Sequence, residues 1–180
     1  KEGELLDVYF QNKLTTPTTI HWHGVKVPNA MDGVSGLTQP AVEPGEAFSY
    51  KFRIFEPGTY WYHAHTMGWE QVARGLYGPL IVEGVKDFET DHDITMMVDD
   101  WRLDKDGQID EASMGSLHDW AHRGRLGNWL TINGKSQFRT SVKINSRIRL
   151  RLINSSNARI LKLKLTGGVG LRVSLDGNPS

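Results

Sequence analysis

Short runs of alternating apolar and polar residues, separated by clusters of glycine, proline and polar side chains, make up most of the chain. Over residues 1–12, Leu6, Val8 and Phe10 fall on one side and Leu5 and Tyr9 on the other, the period-two signature of a strand. Residues 47–55 alternate again, with Phe48, Tyr50, Phe52 and Ile54 against Ser49, Lys51 and Arg53, and predict a half-buried strand. Two β-branched or aromatic runs, Thr18-Thr19-Ile20 and Thr59-Tyr60-Trp61-Tyr62, predict further strands, as does the stretch 76–83. Between them, residues 13–17 and Glu56-Pro57-Gly58 read as turns. Residues 25–46, with Pro28, Gly33, Gly36, Pro40, Pro44 and Gly45, read as loop throughout. Residues 66–75 predict a short irregular or helical segment, with Met67 as packing filler.

The polar, charged stretch 84–91 (GVKDFETD) predicts a boundary, dividing the chain into domains 1–86 and 87–180. In the second half, 94–101, 128–133 and 141–154 read as strands, 103–107 as a charged turn and 110–127 as the one partly helical segment. Arg147-Ile148-Arg149-Leu150-Arg151-Leu152 alternates with its cations on one face, which predicts a solvated sheet face. No aromatics interleave with the cations as a nucleic-acid groove requires. Residues 159–165 repeat the pattern with Lys162 and Lys164, and 176–180 read as a turn with no closing strand after it. Many short strands between turn clusters predict an all-β protein of Greek-key sandwiches, two in tandem, the second incomplete.

Composition narrows the function. Lys+Arg and Asp+Glu balance at 21 each, so no polyanionic partner such as nucleic acid is indicated. No apolar run approaches the roughly 18 residues of a membrane span, and no targeting leader is visible. Cysteine is absent, which removes disulfides and also any blue-copper site, since that site needs a thiolate beside two histidines.

The candidate chemistry lies in two histidine pairs, His21-Trp22-His23-Gly24 and His63-Ala64-His65, each within or just after a predicted strand. Residues two apart on a strand leave the same face, with α-carbons roughly 6.6 Å apart. One such pair is commonly a pair of hydrogen-bonded surface histidines. Two pairs on neighbouring strands bring four imidazoles to one volume, where a metal ion is the natural occupant. Imidazole suits zinc, copper, iron and nickel alike, so the donor set alone does not name the metal. His118 and His122 lie four apart, one face of a helix if one forms. The glutamate of an H-E-x-x-H motif is missing there, and Asp119, Arg123 and Arg125 read as solvated surface, so this pair is taken as surface. His92 is read the same way.

The stretches 18–33 (TTIHWHGVKVPNAMDG) and 58–82 (GTYWYHAHTMGWEQVARGLYGPLIV) resemble the first cupredoxin domain of the multicopper oxidases, a family that includes laccases and bacterial copper-tolerance oxidases. The second half resembles, more weakly, the copper-free middle domain of that family. The resemblance implies cupredoxin-like sandwiches and half of a trinuclear copper cluster. In it His21 matches the ligand of the type 2 ion, and His23, His63 and His65 match ligands of the type 3 pair. It implies that Asp32 orders water and relays protons, and that Trp22 and Trp61 fix the imidazole orientations. It also implies dioxygen as electron acceptor, a phenolic or low-valent metal reductant, and a periplasmic or secreted setting. The other cluster ligands and the type 1 copper belong to a C-terminal cupredoxin domain, whose His-Cys-His motif is missing here. Other readings are a non-catalytic copper module for storage, delivery or sensing, a structural cupredoxin that has lost its metal, and a nitrite-reductase-like protein. The last fits less well, because its first domain carries the cysteine this chain lacks.

Overall fold

The computed structural model describes residues 1–176 together with the backbone of Asn178 and Pro179. It divides into two compact units, Lys1–Glu89 and Thr90–Ser180.

The first unit is built of two sheets. Strand β1 (Leu5–Gln11) pairs antiparallel with β3 (Ala47–Arg53), while β2 (Ile20–His23), β4 (Gly58–Ala64) and β5 (Tyr77–Val82) form an antiparallel sheet with β4 central. Alternation decides what lies between them. Leu6, Val8 and Phe10 of β1, Phe48, Tyr50 and Phe52 of β3, Trp22 of β2, Tyr60 and Tyr62 of β4 and Leu80 and Val82 of β5 share one core. Trp22 meets Tyr50 and Phe52 edge-on at ring-centroid distances of 5.4 and 5.3 Å. Contacts of this geometry add about 0.5–1.5 kcal/mol each beyond the area they bury.

The fully buried Tyr50 does more than pack. Its hydroxyl accepts the backbone N–H of Ile20 at 3.0 Å, satisfying a donor of the edge strand β2 from the opposite sheet. A short helix α1 (Gly68–Gln71) is fixed to the residues leading into the same strand. The buried Gln71 amide donates to the Pro17 carbonyl at 2.9 Å and accepts from the Thr18 hydroxyl at 2.7 Å. Met67, expected as filler, is exposed and holds a left-handed backbone (φ 48°) ahead of α1.

In the second unit, β6 (His92–Trp101) lies between antiparallel β7 (Trp129–Ile132) and parallel β8 (Ile148–Asn154). A five-residue helix α2 (Leu117–Ala121) follows β6, and β9 (Ser174–Leu175) pairs with β10 (Asn178–Pro179). Three expectations are corrected here. The cationic face of β8 is the covered one: Arg151 is 7% exposed, while Leu150 and Leu152 are 44% and 49% exposed. Asp93 on β6 is the reason, because it takes Arg151 in a bidentate pair, both contacts 2.7 Å, and stands 3.7 Å from Arg149. Asp119 and Arg125, read as solvated, are buried: Asp119 takes Arg102 at 2.8 Å and Arg125 donates to the Ser113 hydroxyl at 2.9 Å. Finally, residues 141–147 and 159–165 are irregular, although the second run alternates well. A strand requires a neighbour for its backbone hydrogen bonds, and 159–165 has none among the described residues. The turn expected at 176–180 includes Gly177 and Ser180, which lie outside the described residues.

Tyr50→Phe keeps the ring and removes the acceptor for the Ile20 N–H. Chemical denaturation should show a loss of about 1–3 kcal/mol, the cost of stranding a part-buried donor. An unchanged midpoint would mean that the hydroxyl does not tie the sheets together.

Candidate metal centre

The register of β2 on β4 assembles the site. His21 stands opposite His63, Trp22 opposite Tyr62 and His23 opposite Trp61. Trp22 and Tyr62 point into the core, so the neighbouring positions on both strands project from the outer face of the sheet. That places His21, His23, Trp61 and His63 together, and the backbone leaving β4 adds His65. Ring centroids lie 5.3 Å apart for His21 and His63, 5.5 Å for His23 and His63, and 5.1 Å for His21 and His65. One nitrogen from each of His21, His23 and His63 falls within 4.8 Å of the other two. His65 borders this group, with its ring 5.9 Å from that of His63 and its backbone N–H donated to the Thr19 carbonyl at 3.2 Å.

Hydrogen bonds fix which ring nitrogens carry the hydrogen. His21 Nδ1 lies 2.8 Å from the Asp32 carbonyl oxygen, and His63 Nδ1 lies 2.9 Å from that of Ala64. A carbonyl oxygen only accepts, so both Nδ1 atoms carry the hydrogen and both neutral rings present an Nε2 lone pair. His23 Nδ1 then donates to the His63 Nε2 lone pair across 3.3 Å. Nitrogen donors oriented by backbone carbonyls are what a borderline-soft ion such as copper or zinc requires. Trp61 covers the flank, 4.5 Å from the His63 ring and 5.0 Å from the His23 ring.

Asp32 closes a one-turn 3-10 segment (Asn29–Met31) and leads into Gly33. Gly33 has φ +76°, and a β-carbon there would stand 1.7 Å from the Ile20 carbonyl oxygen. Only glycine lets the loop lie this close to β2. The same approach puts the Asp32 carbonyl on His21 and its carboxylate Oδ1 3.4 Å from His21 Nδ1. The loop expected from sequence at 25–46 is therefore also the clamp on a ring of the cluster. Tyr50 and Gln71, which anchor β2 from either side, were not singled out for the site in the sequence. Their partners Ile20 and Thr18 are 30 and 53 residues away, and no local pattern connects them.

The pKa of His63 is lowered from 6.5 to about 4, chiefly by burial and in smaller part by the neighbouring imidazoles, with the hydrogen bond to Ala64 opposing. The ring is thus neutral at neutral pH.

Among proteins of known sequence and structure, residues 1–87 match the family model described as multicopper oxidase. Copper resistance protein A of Pseudomonas syringae pv. tomato is 43% identical over 103 residues, 56% of this chain and 17% of that protein. Laccase-2 of Cryptococcus neoformans var. grubii is 30% identical over 97% of this chain and 33% of its own length. The crystal structure of Lac15 from a marine microbial metagenome superposes with a TM-score of 0.82 at 45% identity, covering 99% of this chain and 44% of that one. The chain therefore spans less than half the length of each of these relatives.

Two outcomes test the geometry. An imidazole whose folded pKa lies below its unfolded value stays unprotonated while the unfolded chain takes up a proton. The stability His63 contributes is complete above about pH 6.5 and is lost as the pH falls from 6.5 to about 4. In metal-free protein, nuclear magnetic resonance titration should show the His63 ring neutral at pH 5.5, and a midpoint near 6.5 would contradict the burial argument. Gly33→Ala should push the loop off β2 and release His21 Nδ1, seen as a change in the His21 ring nitrogen shifts. Unchanged shifts would show that the loop does not hold the ring.

Proposed function

The chain belongs to the multicopper oxidase family and folds as all-β, cupredoxin-type domains, and from that premise we propose that it forms part of an oxidase whose trinuclear copper cluster draws half of its ligands from here. In this reading His21 holds the type 2 ion, and His23, His63 and His65 hold the type 3 pair. Copper, when bound, supplies the stepwise electron transfer by which dioxygen is reduced to water at the expense of a reductant, a phenolic compound or a low-valent metal ion. The observation that carries the reading is the gathering of His21, His23 and His63, one nitrogen of each within 4.8 Å of the other two, with His21 and His63 oriented by hydrogen bonds from Nδ1 to backbone carbonyls.

The chain's own residues have definable tasks. Trp61 limits water on one flank and holds the planes of His23 and His63. Asp32 combines two functions: its backbone orients His21, and its part-exposed carboxylate is placed to accept and pass on a proton from water beside the cluster. Domain 1–86 carries the cluster ligands, and domain 87–180 contributes none of them and acts as a spacer. With no cysteine, the chain supplies no type 1 site. That site and the remaining ligands come from a C-terminal cupredoxin domain, in cis or in trans. The family analogy places the protein in the periplasm or outside the cell, and among the described residues no helix is long and apolar enough to cross a membrane. A copper-binding module for storage, delivery or sensing is the second reading, favoured to the extent that this chain has donors for copper without an entry site for electrons.

Metal analysis of copper-loaded chain, wild type against His21→Ala plus His63→Ala, tests the assignment. Bound copper should fall in the double variant and the wild type should show no intense blue absorption. Equal copper in both would remove these histidines from the site, and an intense blue band would contradict the missing thiolate.

A further inference from the structure

The second unit holds a histidine pair that this function does not use. Helix α2 carries His118, and His122 caps its C-terminus. Their exposed rings stack with centroids 4.2 Å apart and planes 27° from parallel. His122 Nδ1 lies 2.8 Å from the His118 carbonyl oxygen. That oxygen only accepts, so Nδ1 bears the hydrogen and the Nε2 lone pair faces away from the backbone. The same tautomer is fixed in the same way at His21 and His63.

A helix of five residues is not stable by itself, so the pair depends on how α2 is held. Asp119, between the two histidines, turns inward and takes the Arg102 guanidinium at 2.8 Å. Gly124, with φ +76°, donates its N–H to the Asp119 carbonyl at 2.8 Å and closes the turn. A β-carbon at Gly124 would stand 2.5 Å from that of Ala158, so the turn packs tightly behind the helix. The two rings therefore sit on a supported turn and line a shallow depression together with Arg102 and Arg123.

Charge selects the class of occupant. The nearby carboxylates are engaged, since Asp110 and Asp119 both pair with Arg102. Calcium and magnesium, which need several oxygen ligands, have no donor set here. Arg123 adds a positive charge, so an ion held mainly by electrostatic attraction is disfavoured. An ion held by nitrogen lone pairs is tolerated, and copper(II) stands highest in affinity among the divalent first-row metals. Two imidazoles one helical turn apart also have the spacing of known metal-ligand pairs.

We propose that His118 and His122 form a two-imidazole site for an exchangeable transition-metal ion, copper(II) foremost, with water completing the coordination. It lies in the second unit and is independent of the four-histidine cluster.

Copper(II) chloride added in substoichiometric steps to the full chain at neutral pH should broaden the ring resonances of His118 and His122. Equilibrium dialysis should show one equivalent of copper fewer for His118→Ala plus His122→Ala than for wild type. Both positions are exposed and alanine favours helix, so the fold is expected to persist, as circular dichroism would show. Each single variant should bind this equivalent at least tenfold more weakly, because the chelate is broken. The equivalent should remain in the chain carrying His21→Ala plus His63→Ala, which separates this site from the cluster. Single variants that bind as tightly as wild type, a double variant with undiminished copper, or loss of the equivalent with His21 and His63 would each overturn the proposal.

Discussion

The antiparallel pairing of β2 with β4 in one register is the constraint on which the rest of the first unit depends. A strand has only two faces, and a slip of one residue exchanges them. In the register observed, Trp22 and Tyr62 face the core while His21, His23 and His63 face outward. Slipped by one, β2 would bring its imidazoles into an apolar core and expose the indole. The core aromatics therefore hold the register, and the register holds the metal donors. Because β2 is short and lies at the sheet edge, this hold needs reinforcement. Tyr50 supplies it from the opposing sheet, and Gln71 supplies it from α1.

The second unit solves a different problem with buried charge. Asp93 and Asp100 on β6 neutralise Arg151 and Arg159 from later in the chain, and Asp119 neutralises Arg102 from just after β6. Asp100 is nearly fully buried and also accepts the Gly127 N–H at 2.6 Å, so one carboxylate fixes both the Arg159 segment and the turn before β7. Breaking such a pair strands the remaining charge, which costs more than the intact pair contributes. These contacts act mainly to specify which segments meet, here β6 with β8 and α2 with the end of β6.

The sequence carried much of this, in proportion to how local each cause is. Strands β1 and β3 were legible because a buried face imposes strict alternation, the histidine strands because β-branched and aromatic residues crowd them, and the i, i+2 spacing of each histidine pair showed which side they share. Alternation does not say which face is inner. On β8 the arginines and the aliphatic residues alternate equally well, and only Asp93 on the neighbouring strand decides that the cations are covered. Residues 159–165 have the period of a strand and no partner among those described, so pattern alone overstated them. Asp32 was visible as a turn residue, and as a site residue only through a family resemblance. Nothing in a sequence marks the carbonyls of Asp32 and Ala64 as the groups that set the tautomers of His21 and His63.

Those tautomers bear on the choice between half of a catalytic cluster and a self-sufficient storage site. Neutral imidazoles bring no negative charge, so each copper ion placed against this sheet adds its full charge to the face. The Asp32 carboxylate, 3.4 Å from His21, offsets part of it. His23 and His65 are exposed on the side away from the sheet. A protein that keeps copper by itself is better served by enclosing the ion and completing its ligands. Lone pairs fixed toward one volume, with that volume open on one side, are what a surface needs when the remaining ligands come from another domain. This favours the oxidase reading over the storage module, and it does so from the direction and exposure of a few nitrogen atoms.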